Sequence, residues 1–503
     1  MSFLKKVKFP TAHTILFLIL AVVCVLTWLV PAGQYDRLLY DHSTNMFVQK
    51  QQENTIELPA TQKSLNELGI KINLEKFTEG AISKPISVPN TYTTLNNKPQ
   101  GLVSFIQAPL KGIMQSADII LLVLIIGGLV SIVNASKAFE AGIAWLGVKL
   151  KGKEFLLIIL VTLLIALGGT TFGLEEETIA FYPILIPVFL AAKYDALVCI
   201  ASIYIGSSIG TLASTVNPFS TIIASDAAGI NWVEGLNSRI VTLIIGIIIC
   251  VAYIVRYAER VKKDPSKSLI FSQKDEIQKL FAGSGINNLT KLDWKLKLVL
   301  FVFACCFVVM VYGVSQLGWW FLEMTAVFLA GALLIGIITR MSEKQFVNQF
   351  IAGAKDLLGV AFIIGIARGV SILMEDGQIS DTLLFYTSEL TSDMDKGLFI
   401  NVTYLLYSGL SFFIPSSSGM AVLTMPIMSP LADNVGIGRE VMVNAYQFGV
   451  GLFKFINPTG IILASLAIVN IGYNKWLKFV LPLVLIIGVL GMIMLSISVY
   501  FEF

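Results

Sequence analysis

The chain has 503 residues, of which 55% are hydrophobic and only 14% charged, against roughly 25% charged in an average soluble domain. Broken into many long apolar runs, this composition is that of a polytopic α-helical membrane protein and excludes a soluble globular enzyme. The net charge of +3 is too small to mark a nucleic-acid partner.

Lys5, Lys6 and Lys8 precede an apolar run from Ile15 to Val30, and Pro31-Ala32-Gly33-Gln34 follows without a small-x-small cleavage site. The pattern reads as an uncleaved anchor rather than a secretory signal, so residues 1–32 are expected to hold a cytoplasmic tail and a first transmembrane helix. Residues 33–110 are a long polar segment of mixed charge, expected outside because long loops cross regardless of charge. Apolar segments follow at about 117–134, 154–168, 179–192, 196–213 and 237–255. A basic linker comes next, over 257–297: from Arg256 to Lys297 there are ten Lys or Arg, Lys291 among them, against five acids. Such a loop belongs in the cytoplasm. Spans at about 298–316 and 319–339 form a helix pair over 298–340, and a second series of apolar segments fills 341–503.

The first series, 111–256, matches the second. Asn-Pro-x-x-x-Ile-x-Ala-Ser occurs at Asn217–Ser225 and again at Asn457–Ser465. Val130-Ser131-Ile132 corresponds to Val370-Ser371-Ile372, and Pro183-x-x-x-Pro187 to Pro426-x-x-x-Pro430. Ser131 to Asn217 and Ser371 to Asn457 are both 86 residues apart, while the proline interval differs by three, so the copies have diverged. Tracked from the basic loops, the first repeat begins outside and ends inside at Arg256; the second begins inside near Lys344 and Lys355 and leaves the C-terminus external. Two inverted-topology repeats with helices broken at membrane depth are the architecture of secondary transporters with a substrate site near the midplane.

Each repeat has two irregular places. One is a polar interruption, Gly168 to Thr178 in the first half and Pro415-Ser416-Ser417-Ser418-Gly419 in the second. These read as tips of re-entrant hairpins, whose following helices point free N–H groups into the protein and favour a carboxylate, or else as surface turns. The other is the Asn-Pro pair, where proline frees carbonyls that, with Asn and Thr side chains, suit an ammonium group, a cation or water; the plainer reading is a packing kink. Intramembrane charge is scarce and informative. Glu175, Glu176 and Glu177 crowd the first tip with no twin in the second half and suit a guanidinium or ammonium. Arg368 stands where the first repeat has Gly128, and pairs with Glu375, Asp376 or a tip carboxylate, or meets substrate. Lys454 stands where the first repeat has Ser214, either as a tethered cation that replaces a bound ion or as a lysine reaching the interface. Tyr446 and Gln447 are further polar candidates, and Trp319, Trp320 and Trp476 read as an interfacial belt.

Catalysis has no signal. His13 and His42 are the two histidines and neither lies near an acid or thiol cluster. Cys24, Cys199, Cys250, Cys305 and Cys306 fall in apolar stretches without Cys-x-x-Cys spacing, as buried free thiols do. No Gly-x-x-x-x-Gly-Lys-Ser/Thr phosphate cradle is present, so neither ATP, another cofactor nor a metal is expected, and the energy must come from solute or ion gradients.

The stretch Gly168 to Gly229, with Gly-Gly-Thr-Thr-Phe-Gly-Leu-Glu-Glu-Glu and Ser-Thr-Val-Asn-Pro-Phe, and the stretch Ser411 to Ser465, with Phe-Ile-Pro-Ser-Ser-Ser-Gly and Phe-Ile-Asn-Pro-Thr-Gly, resemble the YfcC-type carriers. These belong with anaerobic C4-dicarboxylate carriers in the ion transporter superfamily. The resemblance covers nearly the whole chain outside the external segment. It implies an all-α membrane fold, a scaffold domain that forms a homodimer, and a transport domain of two hairpins and two unwound helices that moves as an elevator in the bacterial inner membrane. Within the family the likeness is greatest to arginine/ornithine antiporters of the arginine deiminase pathway. It implies a substrate site lined by Thr170, Thr171, Gly173, Asn217, Thr221, Ser416 to Gly419, Asn457 and Thr459, to which the acidic tip adds a holder for the cationic side chain. The second motif, Ile456-Asn457-Pro458-Thr459 beside Lys454, departs from the paired Ser-Asn-Thr cation sites of sodium-coupled members. The alternatives are a sodium-coupled or exchange carrier for C4-dicarboxylates, with Arg368 and Lys454 on the second carboxylate, and a membrane sensor that transports nothing.

Overall fold

The computed structural model describes residues 11–501 apart from 52–53, 71, 79–81, 83–84, 140, 143–144, 146–152, 282–292, 318, 320, 392–393 and 415. Lys5, Lys6, Lys8, Lys291, Trp320 and Pro415 therefore lie outside the described residues.

Helix α1 (Ala12–Leu29) leads into a small subdomain and then a first helical series. This comprises α2 (Leu102–Gln115), α3 (Ala117–Ala135), α4 (Phe155–Phe172), a 3-10 turn Glu176–Phe181 running into α5 (Tyr182–Ala191), α6 (Ala196–Leu212), α7 (Ile223–Ala228) and α8 (Leu236–Lys263). Two long helices follow, α9 (Trp294–Leu317) and α10 (Phe321–Thr339). The second series is α11 (Glu343–Asp356), α12 (Leu358–Asp376), α13 (Ser380–Thr391), α14 (Lys396–Phe413), α15 (Ser417–Val435), α16 (Arg439–Lys454), α17 (Ile462–Ala467) and α18 (Tyr473–Tyr500). Among the described residues α3, α8, α10, α12 and α18 are each long and apolar enough to cross a bilayer. The protein is a multi-pass membrane protein.

Four helix pairs of the two series agree in length. The α2 and α11 helices have 14 residues each, α3 and α12 have 19, α4 and α14 have 18, and α8 and α18 have 28. Their packing is reciprocal: α2 lies on α12 and α11 lies on α3, while α4 lies on α6 and α14 on α16. Each crossing rests on glycine. A Cβ on Gly112 would collide with the Gly365 carbonyl, and one on Gly353 with the Gly127 carbonyl. Likewise a Cβ on Gly206 would sit 2.9 Å from the Thr162 oxygen, and one on Gly449 2.5 Å from the Tyr404 oxygen. Lipid tails are as apolar as the helices, so close backbone approach and the dispersion it gains are what hold such pairs together.

Residues 33–100 correct the all-α expectation. Strands β1 (Gly33–Gln34), β2 (Arg37–Asp41), β3 (Met46–Gln51), β4 (Asn54–Pro59), β5 (Ile86–Ser87) and β6 (Thr93–Thr94) form an antiparallel sheet ordered β4-β3-β2-β5 and a short β1-β6 pair. The β2–β3 hairpin pairs Arg37 with Lys50 and Asp41 with Met46. Alternation along β2 buries Leu38 and Tyr40 and leaves Arg37, Leu39 and Asp41 half-exposed, the period of a one-sided sheet. In the turn, hydrogen bonds first from Ser43 and then from Thr44 hold the exposed Asp41 carboxyl below the usual carboxylate range. The subdomain core of Leu38, Phe47, Leu65 and Ile86 takes in Val422 of α15, so the unit is seated on the helical body. The helical part also begins earlier than the expected boundary at 111, at Leu102.

The glycine crossings make a stability prediction. Gly353→Leu forces backbone apart and should lower the unfolding midpoint in detergent, at a cost of about 1–3 kcal/mol typical of overpacking. Gly409→Ala, where a Cβ meets nothing within 4 Å in mid-helix, should leave the midpoint unchanged or raise it.

Candidate functional site

Helices α6 and α16 both stop inside the molecule, at Leu212 and Lys454, and each stop exposes carbonyls with no helical partner. The other helix supplies the cap. Gln447 of α16 donates its Nε2 to the Thr211 oxygen at 2.5 Å, and Tyr204 of α6 donates its hydroxyl to the Lys454 oxygen at 2.7 Å. Thr170 Oγ1 reaches the Ala213 oxygen at 3.0 Å, Trp476 Nε1 the Phe455 oxygen at 2.9 Å, and the Tyr473 hydroxyl the Ile456 oxygen. Five carbonyls at the breaks, those of Thr211, Ala213, Lys454, Phe455 and Ile456, thus accept a hydrogen bond from the protein itself.

The Asn-Pro side chains are used in the same way. Asn217 Oδ1 accepts the Phe219 N–H at 2.8 Å, and Asn457 Oδ1 accepts both the Thr459 N–H at 3.0 Å and its hydroxyl at 2.7 Å. Asn457 Nδ2 donates to the Ser411 oxygen at 3.4 Å, tying the second break to α14. In the first half Thr170 does this work, since its carbonyl accepts the N–H groups of Thr215 and Val216 at 3.1 and 3.2 Å.

Both tips meet the breaks. Gly173 ends α4 in the left-handed region, φ 74°, and lies so close to Asn217 that a Cβ would sit 2.7 Å from its Nδ2. A side chain there would be strained and would push the tip off the break. The second tip is a helix N-terminus in which Ser416 Oγ accepts the Gly419 N–H at 3.1 Å, and Tyr446 donates its hydroxyl to the Ser417 oxygen at 2.7 Å.

Between the tips lies a cavity of about 390 Å³. Of the residues expected at a site, Gly173, Glu175, Glu176, Glu177, Asn217, Ser416, Ser417, Ser418, Arg368 and Lys454 line it. Thr170, Thr171, Thr221, Gly419, Asn457 and Thr459 are not on its wall. The reason is local in each case. Thr171 is exposed and bonds back to the Leu167 oxygen of its own helix at 2.6 Å; Thr221 is buried against Ser214 and Gln447; Gly419 is the partner of the Ser416 cap. Thr170, Asn457 and Thr459 hold the breaks together, as described above.

The electrostatics are uneven. Lys454 Nζ lies 2.5 Å from Glu175 Oε2, with the two side chains only 12% and 22% exposed. Glu177 Oε2 accepts the Glu175 N–H at 3.2 Å. Glu176 makes no ion pair among the described residues. Arg368 Nε donates to Gln115 Oε1 at 3.1 Å and stands 3.8 Å from Glu375, whereas Asp376 pairs with Lys111 at 2.7 Å. The wall therefore carries Asp118, Glu175, Glu176 and Glu177 against Arg368 and Lys454.

Some wall residues were not legible beforehand. Asp118, in the first turn of α3, and Thr211, near the end of α6, line the cavity, as does Ser220 of the Asn-Pro segment itself; the hydroxyls of Thr211 and Ser220 are buried and have no partner among the described residues. Trp319 lines it too, while Trp476 is fully buried as a cap and so does not sit in an interfacial belt. Two further buried charges serve structure: Asp226 of α7 pairs with Lys76 of the subdomain at 2.8 Å, and Arg239 of α8 bonds Asn444 Oδ1 at 3.0 Å.

A model of the family described as C4-dicarboxylate anaerobic carrier, DcuC, matches residues 9–500. An uncharacterised protein of Haemophilus influenzae is 41% identical over 497 residues, covering 98% of each chain. The Escherichia coli protein named "Putative basic amino acid antiporter YfcC" is 29% identical over 506 residues, covering 95% of this chain and 96% of that one. Among solved structures, Neisseria gonorrhoeae MtrF, from a class described as antimetabolite efflux pumps, is similar over 98% of this chain and 96% of that chain, at 16% identity and a TM-score of 0.42. With a family match that runs through both tips, both breaks and the cavity between them, this chain belongs to the DcuC family of carriers and is a secondary transporter.

Proposed function

We propose that the protein exchanges basic amino acids, arginine for ornithine, without net charge movement. One observation carries the reading: once Lys454 has neutralised Glu175, the cavity still holds Asp118, Glu176 and Glu177 against Arg368 alone. Glu176 and Glu177 are half-buried and Asp118 is exposed at the cavity, and such a surplus of acids over bases on one wall favours a cationic solute. The α-carboxylate goes to the Ser416-capped N-terminus of α15 and to Arg368, and the guanidinium or ammonium of the side chain goes to Glu176 with Glu177 and Asp118 nearby. The name carried by the Escherichia coli relative supports the same substrate class.

The Lys454–Glu175 pair supports exchange without sodium. It places a tethered cation in the wall, while the Asn217 and Asn457 oxygens that would ligate an ion are already engaged. The reciprocal packing of the two series supports inverted repeats. In this reading α4–α8 and α14–α18 move as an elevator against α2, α3, α11 and α12, within a homodimer in the bacterial inner membrane. The basic linker and N-terminus face the cytoplasm and the C-terminus the exterior. The dicarboxylate alternative needs Lys454 for a second carboxylate, and Glu175 already holds it.

Three outcomes are expected in proteoliposomes. Ornithine-loaded vesicles should take up radiolabelled arginine faster than empty ones, without inhibition by succinate; equal rates would remove the proposal, and succinate competition would install the dicarboxylate reading. Replacing sodium by choline should change the exchange rate by less than about twofold, since a bound-ion requirement would cost far more than that. Glu176→Gln should weaken cationic substrates about tenfold or more, the loss of one charge-assisted contact, and neutral amino acids little. Equal losses would assign Glu176 to structure.

A further inference from the structure

A second cavity, of about 220 Å³, lies under the 33–100 subdomain and shares Arg368 and Ser416 with the central one. Gly33, Gln34 and Arg37 of the subdomain line one side of it, and the end of α12 and the second tip line the other. Arg37 is engaged: its guanidinium holds both oxygens of Asp381, at 2.8 and 2.7 Å, and the Tyr35 N–H bonds the same carboxylate at 2.9 Å. The remaining charges on the wall are Arg368 and Glu375. They stand 3.8 Å apart, beyond hydrogen-bonding distance, with side chains 34% and 58% exposed. Two more wall residues, Ser371 and Gln378, each hold an oxygen just beneath the wall, Ser371 Oγ and Gln378 Oε1, that is buried and has no hydrogen-bond partner among the described residues, while Gln378 Nε2 donates to Gln34 Oε1 at 3.3 Å. Buried polar atoms left unmatched are rare in folded proteins and point to a missing partner.

These four groups divide by chemistry. Arg368 and Ser371 donate; Glu375 and Gln378 Oε1 accept. We infer that this cavity is an outer site for the zwitterionic head of an α-amino acid, with its carboxylate on Arg368 and Ser371 and its ammonium on Glu375 and Gln378. The inference rests on the amino-acid reading of the central site and adds a second station to it. A dicarboxylate would meet one favourable charge there and one repulsive one. The volume equals the share of about seven waters at ~30 Å³ each, enough for the head of an amino acid and little more. Because Arg368 and Ser416 belong to both cavities, a carboxylate that passes inward keeps Arg368 and exchanges Ser371 for Ser416. The subdomain thereby acquires a role, as the roof that makes the outer site.

Right-side-out and inside-out membrane vesicles holding the full chain test this, with the half-saturating concentration of the exchanged amino acid measured from each face. Glu375→Gln removes the ammonium partner and should raise that concentration about tenfold from the subdomain face, and less than about twofold from the opposite face. Gln34→Trp, which fills the cavity from the roof, should produce the same one-sided shift. Equal shifts on both faces, or none on either, overturn the outer site. If wild-type vesicles exchange no α-amino acid, the proposed function itself fails and the outer site falls with it; exchange with two-sided or absent shifts sinks the outer site alone.

Discussion

The constraint from which the rest follows is that a helix broken inside a membrane leaves carbonyls that water cannot reach. Here α6 and α16 break together, and each supplies the side chain that caps the other, Gln447 on the Thr211 oxygen and Tyr204 on the Lys454 oxygen. A Cβ on Gly451 would strike Leu212, so the two helices cross at the points where they end. The breaks are therefore one joint structure. Neither helix can be interrupted there unless the other lies across it.

That joint places the chemistry. With the capped carbonyls and the Asn457 amide occupied inside the protein, the polar groups facing the cavity include Asn217, the tip acids, the serines of the second tip, Arg368 and Lys454. Lys454 and Glu175 come from different halves of the chain and meet at 2.5 Å. A pair at this range neutralises its own two charges. The same geometry explains why Ser214, at the corresponding place in the first half, bonds Thr221 and takes no part in the cavity.

The subdomain joins the helical body at several places, among them α1, where Gln100 bonds Thr27 and Trp28. On one side Arg37 and Tyr35 hold Asp381 at the start of α13; on the other Lys76 pairs with Asp226 of α7, and Val422 of α15 enters the subdomain core. Asp226 is 2% exposed, so the lysine's charge is what makes its burial tolerable. The subdomain is thus anchored to α13 on one side and to α7 and α15 on the other.

By itself the sequence determined what periodicity and composition encode: a multi-pass helical membrane protein, two matched series, helices stopped at Asn217-Pro218 and Asn457-Pro458, and an acidic tip. Apolar runs and prolines act locally, through hydrogen bonding along the chain, and so they can be read along it. The β-rich subdomain escaped because its strands are short and its polar composition hides the alternation of Leu38 and Tyr40. What only the tertiary structure decided is which polar groups are left over. Asn457 and Thr459 satisfy each other, Thr171 turns back on its own helix, Trp476 becomes a cap, and Asp118 arrives at the cavity from a helix with no irregularity to flag it. A side chain's free valence depends on partners hundreds of residues away, as Lys454 and Glu175 show, and packing alone assigns those partners.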